Sequence, residues 1–151
     1  MQQDKASSNT TSFEEAFFLS NETYIHPTAI IGSNVTLETG VKIGPHVTII
    51  GNVSIGKNTR IHGYTMIGPP ALVVGMKQML GSIEIGNNTE IRQFVSVHSS
   101  RDENGKTIIG NDCYIMNYCH VAHDSVLEDH VTLINSVNLG GHTHIEHHAM
   151  M

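Results

Sequence analysis

From Ile25 to Leu72 the sequence repeats every six residues, and few folds tolerate that period. The first position of successive hexads is Ile25, Ile31, Leu37, Ile43, Ile49, Ile55, Ile61 and Ile67, and none of these is polar. The fifth position is Ala29, Val35, Val41, Val47, Val53, Thr59, Thr65 and Ala71, always small or β-branched. A helix would repeat near 3.6 residues and a lone amphipathic strand at two. A sustained period of six predicts an all-β parallel β-helix, in which each short strand turns a corner into the next.

The pattern lapses after Leu72 and resumes at Ile85, Ile91 and Val97. It lapses again from Ser99 to Thr107, a charged, turn-like stretch (Arg101-Asp102-Glu103-Asn104-Gly105-Lys106), and then runs through Ile109, Ile115, Val121, Leu127, Leu133, Leu139 and Ile145. With three hexads to a triangular coil, this gives six coils stacked at strand spacing, about 4.8 Å. Two inserted loops then leave from one face, and in solenoids such loops commonly carry function.

Residues 1–24 lie outside the repeat and are rich in Gln, Ser, Asn and Thr, so a flexible N-terminal extension is expected ahead of a repeat domain over 25–151. Ser12 and Glu15 could box a short helix through Phe18, placed over the open end of the solenoid. The net charge of −6 argues against a nucleic-acid binder. No apolar run is long enough for a transmembrane segment and no signal peptide is visible, so a cytoplasmic location is expected. Cys113 and Cys119 both occupy fifth positions and read as core-filling thiols.

Eleven histidines is a high count for 151 residues, and none occupies a first or fifth position. They are therefore expected to point outward, with His26, His46, His62 and His130 read as solvated. His98, His123 and His142 fall on one face in successive coils, beside both loops, and His120 lies just across a corner. A neutral imidazole can act as general base near pH 7. Asp124 follows His123 and could hold its tautomer, while Gly141 offers an unobstructed N–H to an oxyanion. Three histidines could equally bind a metal with an open water position.

The segment Asn117-Tyr118-Cys119-His120-Val121-Ala122-His123-Asp124, followed by Leu139-Gly140-Gly141-His142, resembles the active-site signature of the acyl-ACP–UDP-N-acetylglucosamine O-acyltransferases, which begin lipid A biosynthesis. Ile91-Arg92-Gln93-Phe94-Val95-Ser96-Val97-His98 and Ile25-His26-Pro27-Thr28-Ala29-Ile30 are also similar to that family. The resemblance implies a left-handed parallel β-helix, a homotrimer with active sites between subunits, and no cofactor beyond the acyl carrier protein thioester as co-substrate. It implies His123 as the base on the 3-hydroxyl (or 3-amine) of a UDP-sugar, Asp124 as its orienting partner and Gly141 N–H as oxyanion donor. His98, His120 and His142 would contact substrate and Lys77 would approximate the sugar-binding lysine of the first loop, but Val73 stands where the family carries an Asp. It also implies that C-terminal coils and a helical domain would follow Met151. Two alternatives are a γ-class carbonic anhydrase-like metalloenzyme, disfavoured because His120 and His123 are three residues apart where that class spaces them five, and a catalytically silent scaffold.

Overall fold

A computed structural model describes residues 11–151. The expected first ten residues of the extension lie outside the described range. The chain folds as a left-handed parallel β-helix whose short strands stack into three parallel sheets, one per prism face. The first face holds Tyr24–Ile25, Lys42–Ile43, Arg60–Ile61, Glu90–Ile91, Tyr114–Ile115 and Thr132–Leu133. The second holds Ile30–Ile31, Thr48–Ile49, Met66–Ile67, Ser96–Val97 and His120–Val121, extended by a bridge from His120 to Asn138. The third holds Val35–Leu37, Asn52–Ile55, Ser82–Ile85, Lys106–Ile109, Val126–Leu127 and His144–Ile145.

Register keeps the hexad phase through every coil: Ile43 pairs with Ile61, Ile61 with Ile91, Ile91 with Ile115 and Ile115 with Leu133. First and fifth positions therefore stack in an axial core in which Ile61, Ile91, Ile115 and Val121 are fully buried. Each buried aliphatic is worth about 1.5–3 kcal/mol. Cys113 and Cys119 are buried free thiols in this core, as expected, and burial raises both above the usual cysteine value. In the first coil the inward Ile25 is substantially exposed, so among the described residues nothing covers it at the open end.

The corners are built from residues in the left-handed backbone region, twelve of them not glycine. Eight of the twelve are Asn, Asp or His, the types that enter this region most readily. Between the first and second faces the corner residues His46, Tyr64, Phe94 and Tyr118 form an exposed ladder. Successive ring centroids lie 4.9, 5.3 and 5.1 Å apart, and the Tyr64–Phe94 and Phe94–Tyr118 planes are within 11° of parallel.

Three expectations need correction. The first loop leaves at Gly68, not after Leu72: its φ of +99° and its approach to the Ile50 backbone leave no room for a side chain, and Ile83 takes the inward place on the third face beside Val53. The turn expected near Phe18 is placed differently. A π-helical turn, Glu15–Leu19, packs on the first face, with Phe17 buried against His62 and with Lys42 Nζ donating to the carbonyls of Ala16 (2.7 Å) and Glu22. It lies along the side of the prism and not over its end. Only half of the expected capping box forms among the described residues, Glu15 N–H donating to Ser12 Oγ at 3.2 Å. Finally, His62 is buried, although not inside the prism: the helical turn covers it and its Nε2 donates to Glu90 at 2.9 Å. That bond, outweighing the cost of burial, and the nearby Arg92, His62 and Arg60 charges hold the Glu90 carboxyl at about 2.

Candidate active site

Both loops leave the corner between the second and third faces, and the four histidines singled out by sequence gather around it. His123 and Asp124 form the turn in the fifth coil, Asp124 being the left-handed residue at φ 60°. This places its carboxylate beside the imidazole of its own neighbour, with His123 Nδ1 2.8 Å from Asp124 Oδ2. Both side chains are nearly buried, at 12% and 10% exposure. A carboxylate can only accept, so Nδ1 carries the proton and Nε2 presents a lone pair. Burial alone would raise the Asp124 carboxyl. Hydrogen bonds from Ser100 and His123, the Arg101 N–H and the nearby His142 charge outweigh it, and the group titrates below its usual range.

Gly141 lies one coil further along, packed on the imidazole. A Cβ there would sit 2.6 Å from both His123 Cε1 and Nε2, so only glycine lets the backbone approach the lone pair. Its N–H has no acceptor among the described residues and is open to an incoming oxyanion. His142 is half exposed, its ring edge-on to His123 at 5.3 Å and its Nε2 3.9 Å from Asp124 Oδ2.

His98 and His120 form the other half of the cluster, with ring centroids 4.9 Å apart. His98 Nδ1 donates to the Pro70 carbonyl at 2.7 Å, which leaves its Nε2 as an acceptor. This contact, under the base of the first loop, makes His98 buried where the sequence suggested an exposed side chain; it remains outside the prism. His120 lies in a strand of the second face and not across a corner, its Nδ1 2.9 Å from Ser96 Oγ. Burial, and then the His98 charge, lower its pKa and favour the neutral ring. Lys77 is not brought to the cluster. It stays exposed on the first loop beside Gly75, Met76, Gln78 and Leu80.

His123, Asp124 and His142 also present one ligand atom each within 4.8 Å of one another, a set of two imidazoles and a carboxylate that suits a transition metal. Using it would compete with the His123–Asp124 bond.

Sequence reasoning missed what holds the pair. Ser100 is fully buried and donates to Asp124 Oδ1, and the Asp124 N–H is taken by Thr107 Oγ1 at 2.8 Å. A serine two residues beyond His98 in a charged turn carries no signal of burial.

The bacterial transferase hexapeptide pattern matches residues 37–69 and 106–141. Over those stretches the chain carries the repeat of the hexapeptide transferases. Over 129 residues it is 37% identical to the acyl-[acyl-carrier-protein]–UDP-N-acetylglucosamine O-acyltransferase of Thermodesulfovibrio yellowstonii, covering 85% of this chain and 50% of that protein. Among solved structures, one UDP-N-acetylglucosamine acyltransferase superposes with a TM-score of 0.72 at 32% identity, over 87% of this chain and 56% of that one. The Bacteroides fragilis enzyme gives a TM-score of 0.61 at 30% identity over the same shares. The chain thus spans about half the length of the relatives it matches along most of its own length. Among the described residues no helix is long and apolar enough to cross a membrane.

Proposed function

We propose that this chain carries the catalytic coils of an acyltransferase that moves a (hydroxy)acyl chain from acyl carrier protein to the 3-position of UDP-N-acetylglucosamine, in the cytoplasm. The observation that carries the reading is the His123–Asp124 pair with its Nε2 lone pair facing Gly141. His123 Nε2 takes the proton of the sugar 3-hydroxyl as that oxygen attacks the thioester carbonyl. The carbonyl electron pair moves to oxygen, where the Gly141 N–H meets the negative charge. Collapse breaks the carbon–sulfur bond, and the departing thiolate recovers the proton from His123. Asp124 stabilises the imidazolium in between without taking the proton. His98 Nε2 is an acceptor suited to a substrate hydroxyl, and His120 and His142 line the approach.

The site lies open on one side, and a homotrimer would let a second copy close it and exclude water. The direct test incubates the chain with acyl-loaded carrier protein and UDP-N-acetylglucosamine and follows the acylated nucleotide sugar by mass spectrometry. Product that disappears with His123→Ala supports the reading; no product from a folded trimer, or full activity in the variant, overturns it.

The ligand set of His123, Asp124 and His142 favours one second reading, a metal site at the same corner. Stoichiometric zinc retained through dialysis and lost with His142→Ala would support that reading over the first.

A further inference from the structure

We propose that Ser100 is a positioning residue, clamping Asp124 so that one carboxylate oxygen faces His123; this rests on the reading of His123 as the base. Ser100 has a single hydroxyl proton and three polar neighbours. Its oxygen accepts the Asp102 N–H at 2.9 Å, which fixes the lone-pair side. The proton can go to the Asp102 carbonyl at 3.1 Å or to Asp124 Oδ1, which is closer and charged. The carboxylate is the stronger acceptor and takes it. With Oδ1 held, Oδ2 is left to the His123 Nδ1–H and the Arg101 N–H at 3.3 Å, and the carboxylate cannot rotate without breaking a bond on each oxygen.

The surroundings are shaped around this hydroxyl. Ser100 is fully buried although it belongs to an inserted loop. A Cβ on Gly105 would overlap Ser100 Oγ and come within 2.9 Å of Asp124 Oδ1, and one on Gly81, where the first loop returns, would lie 2.6 Å from Ser100 Cβ. The ends of both loops therefore close on the same serine. The second loop thus serves the base from behind, while the first fixes the tautomer of His98 through Pro70.

The test uses the full chain labelled with ¹⁵N-histidine. Long-range proton–nitrogen spectra, with His123 assigned by its loss in His123→Gln, report which ring nitrogen carries the proton at about pH 8, where neutral imidazole dominates. The wild type should show His123 protonated at Nδ1. Ser100→Ala should mix the two tautomers and lower kcat roughly 10- to 100-fold, the usual cost of losing a partner behind a functional ligand, with KM for the nucleotide sugar unchanged. In an Asp124→Asn background Ser100→Ala should cost nothing further. An unaltered His123 spectrum in Ser100→Ala, or a full additional loss on top of Asp124→Asn, overturns the proposal. Should the alanine variant unfold, Ser100→Cys keeps the volume with a weaker donor and gives the same spectral comparison. If the wild type transfers no acyl group, the functional reading fails, but the spectra still decide the role of Ser100.

Discussion

Two corners of the prism share one backbone geometry and do opposite things with their polar atoms. At the corner between the third and first faces, the asparagines and threonines of the middle coils are spent on the neighbouring coil. Asn58 Nδ2 donates to Asn88 Oδ1 and Asn88 Nδ2 to Asp112 Oδ1. One position earlier, Asn87 accepts from the Lys57 N–H, Asn111 from the Asn87 N–H and Asp129 from the Asn111 N–H, at 2.7–2.8 Å. Thr59 and Thr89 hydroxyls close onto the carbonyls of Gly86 and Gly110. At the corner between the second and third faces this ladder is interrupted by the loops. Asp124 turns to its own histidine and to a loop, and the Nε2 atoms of His98 and His123 have no partner among the described residues. A corner that satisfies itself is scaffold, whereas one that leaves lone pairs facing outward has chemistry to offer.

That contrast can be broken first at His123. His123→Ala is expected to lower acyl transfer about 10²- to 10⁴-fold while the far-ultraviolet dichroism and thermal midpoint stay near the parent's, because the ring contributes nothing to the axial core. Gly141→Ala should come next, at about 10²-fold, since its Cβ occupies the space beside Nε2; equal turnover in steady-state assays would mean that the close approach has no part in catalysis.

At the satisfied corner the expected effects are on stability alone. Asn88→Ala removes bonds to Asn58 and Asp112 and puts alanine at φ 53°, a combined cost of about 2 kcal/mol by urea unfolding, with activity per folded molecule unchanged. Asn88→Gly should recover about half of it by relieving the backbone strain. A fall in kcat for either variant would blur the distinction between the corners.

The Glu90 cluster on the first face is expected to matter for stability alone, although the Nε atoms of Arg60 and Arg92 in it lack partners among the described residues. Its carboxyl is depressed from 4.5 to about 2, so its contribution is present above pH 4.5 and is lost as the pH falls toward 2. The side chain is one-quarter exposed, and after solvent screening the contribution is about 1 kcal/mol. Glu90→Gln should therefore lose stability at pH 6 and converge on the wild type near pH 2 in paired urea titrations. Smallest of all, His26→Ala gives up two hydrogen bonds with Thr28 and edge contacts with the Phe13 and Tyr24 rings, and is expected to leave turnover unaltered and to lower the midpoint only slightly.

Fold and site were unequally legible in the sequence. The hexad phase specified which residues stack, which faces they share and the corner that both loops leave from, because a period of six repeated through the chain leaves one register for each strand; it placed the exit of the first loop four residues late, because Ala71 and Leu72 happen to continue the pattern after the chain has left the prism. His123, Asp124, Gly141 and His142 could be placed at one corner by counting alone. The partners of those groups could not. The Ser100 hydroxyl and the Pro70 carbonyl reach the site only because irregular loops fold back onto it, and no periodicity describes a loop. The burial of His62 was hidden for a related reason: its hexad position is outward, and it is covered by Phe17 from a segment outside the repeat.

The aromatic ladder between the first and second faces has a practical consequence. The chain contains no tryptophan and four tyrosines, and Tyr64 and Tyr118 sit on that ladder with Phe94 sandwiched between them. Much of the near-ultraviolet dichroism should thus originate from rings whose separation is the coil spacing itself, a signal that vanishes when side-chain packing is lost. The molecule carries an optical strain gauge along one edge, remote from His123, against which every variant at the opposite corner can be read.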